Sequence, residues 1–332
     1  MEFKGLEIYN CRELVLNEET GGYRISRIPM SLAEKMKANP FLASGVELRF
    51  VPLEKEIRIV LRARERASRV VIFYGSIQSG WQNLYKEVYS TPTEIVIPRA
   101  DNLEKLKLVT ERNGYPYSEE VVRVILQNSE YEIFDIKGKC VPPSREQLPS
   151  RTYLAYGSSI THGSLAMVQA NTFVSRIGEY FKADPVNFGF AGSARLEKEV
   201  ADYIARECRF DFATLEMGIN ILDVEPEEFR KRVTYFASAI AGAHPEQKIF
   251  CIDLFYMERD LLEPENENSK PNVFRRIVRE VVQERNLPNV IYIRGLDMMK
   301  DSGGLSQDLV HPNARGVEEI AGNLCRVMEN YL

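Results

Sequence analysis

The feature that most constrains how this chain can fold is a change in hydrophobic period near residue 145. Upstream, apolar residues alternate with polar ones: Val46, Leu48 and Phe50, then Ile57, Ile59, Leu61 and Ala63, the second set interleaved mostly with arginines. A period of two places alternate side chains on opposite faces of a strand, so these segments read as half-buried antiparallel strands. Further short runs at 70–74, 94–97, 106–109, 121–126 and 131–136 are separated by turn formers such as Asn113-Gly114-Tyr115-Pro116, and one short helix is expected near 31–38. Many short strands with few helices between them predict an antiparallel β-sandwich of jelly-roll kind.

The segment Cys140-Val141-Pro142-Pro143-Ser144, continuing to Pro149-Ser150, is rich in proline and polar residues and has the composition of a linker. With 332 residues the chain exceeds what one core usually organises, so two units are expected, 1–145 and 146–332. In the second, apolar runs at 153–156, 185–188, 212–216, 249–254 and 290–293 alternate with helical patterns. Phe173, Ile177 and Phe181 are one such set; Phe229, Val233, Phe236 and Ile240 are another. Spacings of three, four and seven put each set on one helix face, and alternation with continuous apolar strands implies a parallel sheet covered on both sides. The expected fold is therefore α/β: a flavodoxin-like α/β/α sandwich with five parallel strands, preceded by the β-sandwich. Asn171 and Ser193 are expected to cap their helices, Pro226 to open one, and Gly242 with Pro245 to end it.

In an open parallel sheet the ligand crevice lies beyond the carboxyl ends of the strands, so the turns there are where chemistry is sought. The first strand is followed by Gly157-Ser158-Ser159-Ile160-Thr161-His162-Gly163, the second by Gly189-Phe190-Ala191-Gly192-Ser193 and the third by Gly218-Ile219-Asn220. Each turn alone is a common connector. A serine hydroxyl becomes a useful nucleophile only beside a base that a third group orients, and the chain has three histidines from which to choose. His244, in Ala243-His244-Pro245, reads as a helix-end residue, and His162 has no nearby carboxylate, which suits substrate contact or a polar surface role. His311 follows Asp308 by three residues in a turn-rich loop, a spacing that lets the carboxylate meet one ring nitrogen while the other faces the crevice.

The ordered set Gly157-Ser158-Ser159-Ile160-Thr161, Gly189 to Gly192, Gly218-Ile219-Asn220 and Asp308-Leu309-Val310-His311-Pro312 resembles the conserved blocks of the SGNH, or GDSL, hydrolases, across essentially all of 151–332. The resemblance implies a serine esterase. Ser159 would be the nucleophile, His311 the base and Asp308 its orienting acid, with the amides of Ser159 and Gly192 and the side chain of Asn220 forming an oxyanion hole. Two positions depart from the pattern: Ser158 replaces the usual aspartate before the nucleophile, and Ile221 replaces the aspartate that often follows the asparagine. An accessory sandwich before the hydrolase unit is similar to the arrangement in some bacterial carbohydrate esterases.

The expected partner is a small-molecule or carbohydrate acyl ester, with short acyl or acetyl groups favoured. A net charge of −5 without a basic face argues against nucleic acid. The five scattered cysteines suggest neither disulfides nor zinc, and the dispersed histidines suggest no metal; no cofactor is expected. The opening MEFKGLEIYN is charged and no stretch reaches the ~18 apolar residues of a membrane helix, so a cytoplasmic location is expected and no membrane partner; homo-oligomerisation is left open. Two rivals remain: a flavodoxin-like module whose glycine turns cradle a phosphate or nucleotide, which gives Asp308 and His311 no role, and a non-catalytic carbohydrate-binding protein on an esterase fold. Trp81, the one tryptophan, reads either as a packing residue or as a platform for a sugar.

Overall fold

In the computed structural model, which describes residues 1–264 and 266–332, the alternating segments of the N-terminal half pair into antiparallel sheets of eight and five strands. The larger sheet is centred on Glu47–Pro52, Val122–Leu126 and Ser68–Tyr74, the smaller on Glu56–Ala63 and Tyr131–Lys137. Their inward side chains, among them Leu48, Phe50, Ile57, Ile59, Leu61 and Val124, are fully buried against one another.

Two expectations fail here. Residues 106–109 are not a strand but lie in the helix Leu103–Asn113. Its composition of Leu, Glu and Lys favours helix, and Asn113-Gly114 is its stop rather than a hairpin turn, with Gly114 at φ 58°. Glu56–Ala63 alternates buried and more exposed residues as expected, but the central strands of the larger sheet are not half-buried: all five residues of Val122–Leu126 are buried, and so are Glu47, Arg49 and Arg123, because the C-terminal half sits on that face.

The C-terminal half has five strands, Arg151–Gly157, Ala183–Gly189, Phe212–Glu216, Lys248–Ile252 and Val290–Ile293, all parallel and in the spatial order second, first, third, fourth, fifth. Successive side chains of the first strand serve opposite faces. Tyr153 and Ala155 pack under the helices Phe173–Tyr180 and Ala314–Met328, whereas Leu154 and Tyr156 pack under Lys198–Glu207, Pro226–Ala243 and Lys270–Arg285. The chain order reverses at the first strand, which opens a crevice beyond its carboxyl end. Pro226 opens its helix as expected. Thr172 rather than Asn171 caps Phe173–Tyr180, and Gly242 lies inside the last turn of Pro226–Ala243, with His244 following as its cap. Ser193 caps nothing: Ala194 and Leu196 have φ of 62° and 57°, which no helix accepts, so the next helix begins only at Lys198. Among the described residues no helix is long and apolar enough to cross a membrane.

The second strand is an edge of the parallel sheet, and the N-terminal half covers it. Arg27 donates through Nη1 to the Asn187 carbonyl (2.9 Å), through Nη2 to the Gly189 carbonyl (2.9 Å) and through Nε to the Leu42 carbonyl (2.7 Å). At the other end of the strand, Arg49 grips Asp184 with two bonds of 2.6 and 2.7 Å and donates to Glu47 at 2.8 Å, while the Tyr117 hydroxyl donates to Asp184 at 2.7 Å. Burial alone would raise the Glu47 carboxyl, but the Arg123 and Arg49 guanidiniums hold it down at about 2.

A buried ion pair is most costly when one partner is left alone. Arg49→Met is expected to destabilise the protein by ~3–5 kcal/mol, and Arg49→Met with Asp184→Leu to recover most of that loss, as read from denaturant midpoints. Equal destabilisation by single and double variants would show that the pair is not what holds this surface together.

Candidate active site

The turn that carries Ser159 is built around a carboxylate. Glu216 ends the third strand, beside the first, and its Oε2 accepts from the Ser158 amide (2.7 Å), the Ser158 hydroxyl (2.9 Å) and the Thr161 hydroxyl (2.8 Å). A Cβ on Gly157 would collide with Thr161 Oγ1 and Glu216 Oε2, so only glycine leaves room for this arrangement. Ser158 Oγ also accepts from the Ile160 amide at 3.1 Å, capping the short helix Ser159–His162. Burial raises the Glu216 carboxyl, and the donors from Ser158 and Thr161 only partly offset it. Sequence reading passed over Glu216; the available clue was a lone acid closing the apolar strand Phe-Ala-Thr-Leu-Glu at its carboxyl end.

The loop before the last helix brings the other two expected residues to Ser159. Ser159 Oγ lies 2.7 Å from His311 Nε2, and His311 Nδ1 lies 2.7 Å from Asp308 Oδ2. Asp308 Oδ1 accepts from the backbone amides of Val310 (3.0 Å) and His311 (2.9 Å). Partial burial would raise the Asp308 carboxyl, but these amides and the His311 ring hold it below the usual carboxylate range. With Asp308 ionised, Nδ1 carries the ring proton and Nε2 accepts from the Ser159 hydroxyl. The site is open: the His311 and Asp308 side chains are 25% and 42% exposed.

Gly192 lies on an exposed turn at φ 69°, with nothing near the position a Cβ would take. Asn220 lies on the single turn Ile219–Ile221 after the third strand, and its Nδ2 donates to the Ser193 carbonyl, which ties the two turns together and leaves one amide hydrogen free. Arg195 donates to the Asn220 carbonyl and grips both oxygens of Asp223 at 2.7 and 2.8 Å, a brace that sequence reading did not find. Ile221 faces the core and is fully buried.

His162 is not brought to the crevice. It has no exposed surface, its Nδ1 lies 3.3 Å from Ser164 Oγ, and its Nε2 has no partner among the described residues. Its carbonyl accepts from Ser44 of the N-terminal half at 2.5 Å. A substrate contact from the surface is therefore excluded by burial. His244 has Nε2 3.3 Å from the Ile204 carbonyl, with its ring against Phe210. Asp253 is buried too, accepting from the Tyr292 hydroxyl (2.5 Å) and the Gly295 amide (2.6 Å), with burial raising its carboxyl to about 6. Of the acidic stretch 263–267, Glu265 lies outside the described residues, and the others are exposed. Among the described residues no three His, Cys, Asp or Glu side chains stand together as metal ligands.

The model of the GDSL-like lipase/acylhydrolase family matches residues 150–329. The chain belongs to that family. No curated protein sequence matches it. Among solved structures, a salicylyl-acyltransferase from a tetracycline biosynthetic pathway is 17% identical with a TM-score of 0.78, covering 98% of this chain and 94% of its own. A family two carbohydrate esterase from Clostridium thermocellum, in complex with cellohexaose, is 12% identical with a TM-score of 0.62 and 98% coverage of both chains. An acetyl xylan esterase from the rumen bacterium Butyrivibrio proteoclasticus is 10% identical with a TM-score of 0.59, covering 99% of this chain and 96% of its own. These are likenesses of fold, and each spans nearly the whole chain, the antiparallel half included.

Burial, and after it the Arg27 charge, holds the His162 ring well below its ordinary 6.5. Its unfolded form takes up a proton that the folded form refuses, so its contribution is complete above pH ~6.5 and is lost as pH falls below that value, at a limiting ~1.4 kcal/mol per pH unit. His162→Gln is expected to lessen the fall in stability between pH ~6.5 and ~5, as measured by denaturant unfolding. A slope equal to that of the wild type would place the ring outside this linkage.

Proposed function

We propose that the protein is a serine ester hydrolase in which Ser159 attacks the ester carbonyl. The observation that carries this reading is the unbroken run of hydrogen bonds from Ser159 Oγ through the His311 ring to Asp308, at 2.7 and 2.7 Å, in a crevice open to solvent. His311 takes the Ser159 proton through Nε2 as the Oγ–carbon bond forms, and Asp308 holds the resulting imidazolium in place. The oxyanion is met by the amides of Ser159 and Gly192 and by the free amide hydrogen of Asn220. His311 then protonates the departing alcohol, leaving an acyl-enzyme, and water activated by the same ring releases the acid and restores Ser159.

Short acyl groups, acetyl among them, carried on carbohydrate are the substrate class we favour, supported by whole-length likeness to a carbohydrate esterase and an acetyl xylan esterase. The likeness to an acyltransferase raises a second reading, in which an acceptor alcohol replaces water. The exposure of His311 and Asp308 favours hydrolysis, since bulk water reaches the base.

Ser159→Ala is expected to reduce p-nitrophenyl acetate hydrolysis by at least ~10³-fold with the fold intact. Full retention would remove the assignment. Asn220→Ala is expected to lower kcat by ~10²–10³-fold with little change in KM, the cost of one oxyanion donor. A change confined to KM would mean that Asn220 binds the ester in its ground state.

A further inference from the structure

Trp81 does no packing. It is 98% exposed, although a lone tryptophan on a soluble surface is normally at least half covered. The segment that presents it is held in place by its own hydrogen bonds. The short strand Ile77–Gln78 pairs with Ser68–Tyr74, and the turn Gly80-Trp81-Gln82-Asn83 closes through the Asn83 amide on the Gly80 carbonyl (3.0 Å). The Ser79 hydroxyl donates to the Asn83 carbonyl (2.5 Å), and Lys86 donates to Asn83 Oδ1 (2.9 Å).

The turn forms one lip of a cavity of about 730 Å³, and the segment leading into the helix Leu103–Asn113 forms the other. Around Trp81 the cavity is lined by Gln78, Gln82, Arg99, Asp101 and Asn102. Among the described residues none of these five side chains is committed to a hydrogen bond or ion pair, and Asn102 opens its helix without using its side chain as a cap. Three amides, a carboxylate and a guanidinium beside an open indole face are planar bidentate donors and acceptors next to an apolar plate. An apolar ligand would strip water from the amides without replacing it. An anion would meet Asp101. A pyranose satisfies both demands, offering a C–H face to the indole and adjacent hydroxyls to the planar groups.

We propose that this cavity binds neutral carbohydrate, giving the N-terminal half a glycan-binding role separate from the ester chemistry. Gln78 also lines the groove that reaches Ala183, at the amino end of the second parallel strand, whereas Ser159 lies beyond the carboxyl ends. None of Ser159, His311 and Asp308 lines the Trp81 cavity, so a sugar bound there is anchored apart from the catalytic crevice rather than extending it.

Because Trp81 is the only tryptophan, intrinsic indole fluorescence of the full chain reports this site alone. Titration with ester-free xylohexaose, cellohexaose and mannohexaose is expected to give a saturable change in emission with at least one of them. Trp81→Ala is expected to weaken that sugar by at least about tenfold in calorimetry while leaving p-nitrophenyl acetate hydrolysis unchanged. No emission change with any of the three up to ~10 mM, or equal calorimetric binding by Trp81→Ala, would overturn the proposal. So would an equal response to adenosine, which would assign the cavity to flat aromatic rings.

Discussion

An edge strand in a parallel sheet presents carbonyls that nothing in the sheet can satisfy, and Arg27 meets that demand here. Its guanidinium carries donors in a fixed planar fork, and three of them end on the carbonyls of Leu42, Asn187 and Gly189. Among the described residues no carboxylate joins it, and burial lowers the Arg27 guanidinium to about 9, so the carbonyl dipoles and the Phe190 ring, 4.5 Å below the guanidinium, are what meet the charge. The two bonded strand residues, Asn187 and Gly189, lead directly into the turn that holds Gly192 and Ser193. Arg49 fixes the same strand at its start through Asp184. The N-terminal half therefore grips the second strand at both ends, and the Gly192 turn inherits its position from that grip. The same cover buries His162, which takes a histidine next to the Ser159 turn out of the crevice and keeps it neutral.

A second buried charge sets the Ser159 turn itself. Glu216 reaches across from the third strand and gathers three donors from Ser158 and Thr161, one on each side of the serine. This accounts for the absence of an aspartate at position 158. With a carboxylate already filling the space above Gly157, a second one would place two like charges within hydrogen-bonding distance in a dry site, where one would be forced to protonate. A serine at 158 instead donates to Glu216 and accepts from Ile160, satisfying both neighbours. Hydrogen-bonding capacity, rather than charge, is what that position has to supply.

What could be read from the residues and what could not divides along physical lines. The parallel strands were legible because burial on both faces leaves continuous apolar runs, and the pairing of His311 with Ser159 was legible from strand-end geometry and a short supply of histidines together with the resemblance to the SGNH hydrolase blocks. Contacts between the halves were not. Nothing local in Glu47, Arg49 or Arg123 distinguishes an arginine facing water from one facing Asp184, since strand alternation is identical in both cases. His162 failed for the same reason: beside Ser164 and Gly189 of its own half it lies against Ser44 and Arg27, and those partners are 118 or more residues away in the sequence. The helix Leu103–Asn113 was missed because a short apolar run has no visible period, and Asn113-Gly114 serves a hairpin and a helix end equally well. Ser193 was misplaced because positive φ at Ala194 and Leu196 is invisible in residues that rarely adopt it.

The openness of the Ser159 crevice also bears on how its geometry is held. In a deeply buried triad the acid acts partly through its field, but an Asp308 side chain 42% exposed is screened by water, so in the proposed mechanism orientation is the larger part of what it provides. That orientation comes from main-chain bonds. Asp308 Oδ1 is fixed by the amides of Val310 and His311, the Ser306 amide donates to the His311 carbonyl at 2.7 Å, and Leu305 bridges to Pro312. Glu258 donates its amide to the Leu309 carbonyl at 2.8 Å, tying the loop to the segment after the fourth strand. Leu309, at φ 56°, is held by these bonds in a conformation a leucine would not choose alone. The loop can therefore stay open to water while its imidazole keeps one direction, which is what the proposed role of His311 as base, first toward Ser159 and then toward water, requires.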